Sequence, residues 1–101
     1  MSEAQLQRER VRFIGRVQGV GFRRLVSDLA ASRPISGWVR NESDGSVTCV
    51  AEGQQNVLEA FFEAINHAMG QGIESAIRQE EPRDLEAFGG FHIKFDPDSR
   101  R

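Results

Sequence analysis

The chain has 101 residues, of which 39% are hydrophobic and 28% are charged, and its formal net charge is −2. This length and composition suit one domain, which we place over residues 1–101. The small negative charge argues against nonspecific nucleic-acid binding, and no apolar run is long enough to cross a membrane. Because no apolar segment near the N-terminus indicates a secretory signal, we expect a cytoplasmic protein, and we expect a monomer.

The first half of the chain alternates between the hydrophobic period of strands and that of helices. A strand is predicted around residues 11–17, and an amphipathic helix follows over roughly Phe22–Ser32. Two more strands are predicted at 35–40 and 47–51. The Asp-Gly pair at 44–45 is a strong turn signal, so these two strands should form a hairpin.

The second half begins with the clearest helix of the chain. One apolar stripe runs along it: Leu58, Phe61, Phe62, Ile65, Ala68 and Met69. Asn56 and Glu59 have the spacing of a capping box at its start. A fourth strand is predicted near Ile73–Gln79, a polar loop over Glu80–Gly90, and a closing strand at 91–95.

This order of elements, β-α-β-β-α-β with one extra strand, predicts an α+β fold. It is the ferredoxin-like sandwich, in which a mostly antiparallel sheet carries both helices on one face. We expect an ordered core over about residues 10–95. The two ends, Met1–Glu9 and Asp96–Arg101, are polar and are predicted to be short tails.

The segment most informative about function joins the first strand to the first helix: Gly15-Arg16-Val17-Gln18-Gly19-Val20-Gly21-Phe22-Arg23. Gly19 and Gly21 permit backbone conformations that other residues resist, and consecutive amides in such a loop converge on an anion. The helix adds the positive end of its dipole, and Arg23 adds a guanidinium that matches two phosphate oxygens. The spacing is neither that of Walker A nor that of G-x-G-x-x-G. A plain glycine-rich turn remains the alternative at this point.

Asn41 is the second candidate functional residue. It lies where the predicted second strand meets its hairpin turn. Its amide can donate one hydrogen bond and accept another at once, which suits a group that orients a water molecule. Ordinary turn chemistry, for which Asn is also favoured, is the alternative.

Taken together, the two segments resemble the signatures of the acylphosphatase family. The loop segment is similar to the first signature. The second is matched by Gly37-Trp38-Val39-Arg40-Asn41, then Asp44-Gly45-Ser46-Val47 and Glu52-Gly53. The resemblance extends from about Val11 to Ile93.

The resemblance implies hydrolysis of acyl phosphates to a carboxylate and inorganic phosphate, with no metal and no cofactor. It implies that Arg23 and Asn41 are catalytic, with Asn41 orienting the attacking water. The phosphate-binding residues that it implies are Arg16, Val17, Gln18, Gly19, Val20, Gly21 and Arg23. We expect inorganic phosphate or sulfate to inhibit by binding the same loop.

Two other classes of protein remain open. RNA-recognition domains share this order of elements, but they need aromatic residues on central strands, and the segment 47–52 has none. The other is a non-catalytic acylphosphatase-like binding domain, such as the one that opens the carbamoyltransferase of hydrogenase maturation. Cys49 is predicted to be a small buried residue, and Trp38 to cover the sheet. His67 and His92 have no neighbouring ligands in sequence and are predicted to be solvated.

Overall fold

A computed structural model of the chain describes residues 6–83 and 88–95. Within them the order of helices and strands confirms the predicted pattern. The elements are β1 (Leu6–Gly15), α1 (Phe22–Ala31), β2 (Ser36–Asn41), β3 (Val47–Gln54), α2 (Gln55–Met69), β4 (Ile73–Glu81) and β5 (Phe91–Lys94). A short 3-10 turn, Gly70–Gly72, joins α2 to β4.

The strands form one sheet in the order β4-β1-β3-β2-β5. All pairs are antiparallel except β2 with β5, which is parallel. The helices contact each other and bury their apolar stripes against one face of the sheet. The predicted ferredoxin-like α+β sandwich is therefore confirmed.

The hydrophobic core lies between that face and the helices. Alternate residues of the central strands β1 and β3 point into it, as the period of two requires. Phe13 of β1 meets Phe22 of α1 edge to face, with ring centroids 5.1 Å apart. Phe61 of α2 meets Phe91 of β5 in the same way at 6.1 Å. The first contact packs α1 against the central strand β1, and the second packs α2 against the edge strand β5.

The N-terminal prediction is wrong for residues 6–9, which belong to β1 rather than to a tail. Arg8 and Glu9 are 6% and 8% exposed. Arg8 forms an ion pair with Glu52 at 2.8 Å, and Glu9 pairs with Arg78 at 2.8 Å. Charged side chains are buried here because partners on neighbouring strands compensate their desolvation. Residues 1–5 and 96–101 lie outside the described residues.

The predicted capping box of α2 is also wrong. The helix begins at Gln55, one residue before Asn56, and Gln54 takes the N-cap position with extended backbone. No side chain caps it. Asn56 and Glu59 therefore lie inside the helix, where the reciprocal bonds of a capping box cannot form.

The predicted loop Glu80–Gly90 starts too early, because β4 continues through Glu81. Glu81 forms an ion pair with Arg10 across the sheet. Residues 84–87 of that loop lie outside the described residues.

Trp38 lies on the face of the sheet that carries no helix, as predicted. The cationic groups of Arg10, Arg40 and Lys94 lie 5.7, 4.9 and 4.4 Å from its ring. Its partners are therefore side chains of β1, of β2 itself and of β5. Neither helix in the described part of the chain has the length and apolar character needed to cross a membrane.

Candidate active site

The loop of residues 16–21 leads from β1 into α1 through two glycines with left-handed backbone. Gly19 has φ 76° and Gly21 has φ 81°. A Cβ atom at either position would meet nothing within 4 Å. Backbone conformation, not lack of space, therefore favours glycine at these positions. Gly21 is the N-cap of α1, so the loop ends where the free amides of the first helical turn begin.

One backbone amide of this loop donates a hydrogen bond within the protein, whereas several others do not. The Arg16 amide donates to the carbonyl oxygen of Gly72 at 2.8 Å. Within the described residues, the amides of Val17–Gly21 donate to no protein acceptor. A stretch of consecutive unpaired N–H groups is the arrangement that binds an anion. The unpaired amides therefore begin at Val17, whereas the resemblance also implied a phosphate-binding role for Arg16.

Gln18 joins the loop to the β2–β3 hairpin, and sequence reasoning missed this link. Its Nε2 donates to the carbonyl oxygens of Glu42 at 2.7 Å and Ser46 at 2.9 Å. The hairpin carries Asn41 at the end of β2. Two bonds from one amide therefore tie the loop to the segment that positions Asn41. The polarity of Gln18 among the apolar residues and glycines of 17–21 was the one available signal, and it does not identify the acceptors.

The hairpin turn itself matches the prediction made from the Asp-Gly pair. Asp44 accepts hydrogen bonds from the amide of Ser46 at 3.0 Å and from its hydroxyl at 2.6 Å, and Gly45 has φ 95°. These hydrogen bonds are the main cause that lowers the pKa of the Asp44 carboxyl, and the nearby positive charge of Arg12 lowers it further. The turn therefore holds the end of β2 in one geometry.

Arg23 is oriented by the last strand of the sheet. Its Nη1 donates to the carbonyl oxygen of Lys94 at 3.0 Å. In the described part of the chain its Nε and Nη2 meet no protein acceptor. One edge of the guanidinium is thus held by β5, while two other donors remain for a ligand.

Arg23, Asn41 and the loop glycines meet at one small cavity of about 250 Å³. Its lining residues are Val17, Gly19, Gly21, Phe22, Arg23, Arg24, Asn41 and Ile93. The lining contains two arginines and no acidic residue, so the cavity favours an anion. Three predicted site residues, Arg16, Gln18 and Val20, are not part of the lining.

Other groups that could carry chemistry lie elsewhere. Cys49 is fully buried in β3, and burial raises the pKa of its thiol, so it is not a thiolate. Its predicted role as a small core residue is confirmed. His67 and His92 are exposed, as predicted, and neither lines the cavity. Across residues 6–83 and 88–95, no group of three or more His, Cys, Asp or Glu side chains is arranged to hold a metal ion.

Comparisons with known proteins agree with this fold. The sequence model of the acylphosphatase family matches residues 9–93. A Bacillus subtilis protein named acylphosphatase is 42% identical over 81 residues, which cover 80% of this chain and 89% of that protein. The crystal structure of acylphosphatase from Bacillus subtilis superposes with a TM-score of 0.79 at 38% identity, covering 87% of this chain and 98% of that one.

Full-length HypF in a phosphate- and nucleotide-bound form is also similar. It superposes with a TM-score of 0.80 at 26% identity, over 93% of this chain but 13% of HypF. The family match spans most of this chain, and the Bacillus subtilis relative is covered almost in full. On these grounds the chain belongs to the acylphosphatase family.

Proposed function

We propose that this chain hydrolyses acyl phosphates to a carboxylate and inorganic phosphate, with residues 17–21 and Arg23 holding the phosphoryl group and Asn41 orienting the attacking water. One observation carries the assignment of roles. Unpaired loop amides, Arg23 and Asn41 come from three parts of the chain and meet at one cavity without an acidic residue. Family membership supports the reaction.

The proposed phosphate-binding residues, 17–21 and Arg23, supply positive charge to the phosphoryl group from two directions. The amides of Val17–Gly21 and the first turn of α1 donate along one side. Arg23 donates from the other through the Nε and Nη2 atoms that the Lys94 carbonyl leaves open. A bidentate guanidinium both binds the ground state and absorbs charge as it shifts onto the phosphoryl oxygens.

Asn41 completes the site by positioning a water molecule. Its side-chain amide can accept a hydrogen bond from the water and donate another to an oxygen nearby. The water would attack phosphorus opposite the bond to the carboxylate, as in other phosphoryl transfers. Because a carboxylate is a stable leaving group, positioning and charge stabilisation suffice, and the proposal needs no general base.

Two variants test these roles. Arg23→Ala should raise the inhibition constant of inorganic phosphate and lower the turnover rate, because Arg23 acts in both the ground state and the transition state. Arg23→Lys should also be severe, since an ammonium cannot reproduce the two-pronged contact. Asn41→Ala should leave phosphate inhibition near normal while turnover falls by roughly 10²–10³-fold.

The assay is phosphate release from benzoyl phosphate, with circular dichroism to check folding. Asn56→Ala is the matched control, because Asn56 is an exposed asparagine on α2 outside the cavity. The water-positioning role is refuted if Asn41→Ala loses phosphate affinity as badly as Arg23→Ala, or keeps full turnover. A wild-type protein that binds phosphate but does not hydrolyse benzoyl phosphate would be a binding domain instead.

A further inference from the structure

Several exposed large apolar side chains belong to the segments of the chain that form the cavity. Within the described residues there are four of them, and three lie at or beside this site: Val20, Ile93 and Phe95, with exposed fractions of 50%, 40% and 77%. The fourth, Ile77, is 54% exposed on β4. Small proteins rarely group exposed apolar residues without a binding role.

Each of the three is tied to the site by its position. Ile93 lines the cavity itself. Val20 lies between the two glycines that line it. Phe95 follows Lys94, whose carbonyl oxygen accepts the hydrogen bond from Arg23. Ile93 of β5 and Phe95 just after the strand therefore form an apolar rim on either side of the residue whose carbonyl binds Arg23.

The cavity is small, with a volume of about 250 Å³. A phosphoryl group bound by the loop amides would fill the side of the cavity that the loop forms. The acyl group would then lie beside Ile93, which also lines the cavity. The chemistry of the mouth then decides which acyl groups are favoured.

One charged side chain at the mouth could favour a different acyl group. Arg24 lines the cavity and could attract an acyl carboxylate. However, its Nε lies 3.4 Å from Oδ1 of Asp28, one helical turn away. The carboxylate of Asp28 offsets that positive charge, so the net character of the rim is apolar.

We propose that Ile93 and Phe95 form an acyl subsite, and that this protein favours acyl phosphates with an apolar acyl group larger than acetyl, such as an aryl or branched aliphatic group. The inference rests on the proposed function, because it assumes that the phosphoryl group binds at the loop. Contact with the two side chains removes apolar surface of the acyl group from water.

The test measures kcat/KM for benzoyl phosphate, acetyl phosphate and succinyl phosphate, which represent aryl, small and anionic acyl groups. In Ile93→Ala/Phe95→Ala the ratio of benzoyl to acetyl phosphate should fall about tenfold, the effect of removing apolar contacts from a specificity pocket. Phe95→Ala alone should lower it several-fold, and because this side chain is 77% exposed its loss leaves the core intact. Ile77→Ala removes another exposed isoleucine, which does not line this cavity, and should leave the ratio within about twofold of the wild type.

The outcomes separate this inference from the function on which it rests. A benzoyl to acetyl ratio that is unchanged in the double variant overturns the acyl subsite while hydrolysis itself stands. A wild-type preference for succinyl phosphate that Arg24→Ala abolishes also overturns it, in favour of an anionic acyl group. If the wild-type protein hydrolyses none of the three, the proposed function fails and the subsite fails with it.

Discussion

Gln18 offers a sharp test of how this site is assembled, because it joins the loop to the hairpin. In Gln18→Ala both hydrogen bonds from Nε2, to the carbonyl oxygens of Glu42 and Ser46, are lost. Each carbonyl oxygen keeps one hydrogen bond, because that of Ser46 still accepts from the Glu42 amide and that of Glu42 still accepts from the Gly45 amide. The variant should therefore fold and lose only the link.

The expected loss in the free energy of unfolding follows from those two hydrogen bonds. Two hydrogen bonds at about 0.5–1.5 kcal/mol each would contribute about 1–3 kcal/mol to the free energy of unfolding. Because both acceptors keep a backbone donor, no buried carbonyl is orphaned, and we expect the lower half of that range. Turnover should fall further than stability suggests, by roughly 10–100-fold, because a misplacement of about 1 Å between Asn41 and the loop is costly for catalysis.

Urea unfolding followed by circular dichroism gives the change in stability, and phosphate release from benzoyl phosphate gives turnover. Gln79→Ala is the matched control: Gln79 is an exposed glutamine on β4 outside the cavity, and its loss should change stability by less than about 0.5 kcal/mol. If Gln18→Ala is destabilised but keeps its turnover and its phosphate inhibition constant, the link does not position Asn41. Unchanged stability would mean that the two bonds contribute nothing net.

Three further results are expected. Inorganic phosphate at about ten times its Kd should stabilise the protein by about 1.4 kcal/mol, which raises the Tm by about 7 °C for a domain of this size. The comparison is made against chloride at equal ionic strength, and a rise that persists in Arg23→Ala would contradict phosphate binding by Arg23. Cys49→Ser should lower the unfolding free energy by about 1–3 kcal/mol, since it buries a hydroxyl among apolar side chains, with turnover kept; a folded but inactive variant would count against this. Because hydrogen bonds from Ser46 and the charge of Arg12 lower the pKa of Asp44 in the folded state, its stabilising effect should be present near neutral pH and be lost as the pH falls below about 4. Urea titrations of the wild type and Asp44→Asn should therefore differ at pH 7 and converge in acid, and a difference that stays constant with pH would refute the assignment.

The sequence alone determined the order of the helices and strands, and it predicted which loop binds an anion. Periods of two and 3.6 residues are local, so the order of elements and the core face of each could be predicted from neighbouring positions. The glycines at 19 and 21 and the pair at 44–45 were informative for the same reason, since left-handed backbone is a property of single residues. Arg23 and Asn41 could be identified as candidate site residues because they lie beside these turns.

Errors in the prediction arose where polar residues have distant partners. Arg8 and Glu9 read as a solvated tail, yet the bond from Arg8 spans 44 positions to Glu52 and that of Glu9 spans 69 to Arg78. A strand of charged residues has no periodic apolar signal, so its existence depends on carboxylates and guanidiniums that lie elsewhere in the chain. The predicted start of α2 was wrong for another reason: β3 runs directly into the helix, so its last residue, Gln54, is the N-cap.

Only the tertiary structure decided how the site is assembled. The carbonyl of Lys94 that orients Arg23 is 71 positions away, and the carbonyls that Gln18 holds are 24 and 28 positions away. The pairing of β5 beside β2 brings Ile93 to the cavity, although nothing local to residues 91–95 indicates which strand they join. Side-chain type and local period identify the groups that can bind phosphate, whereas distances between them depend on strand pairing, which is a property of the whole sheet.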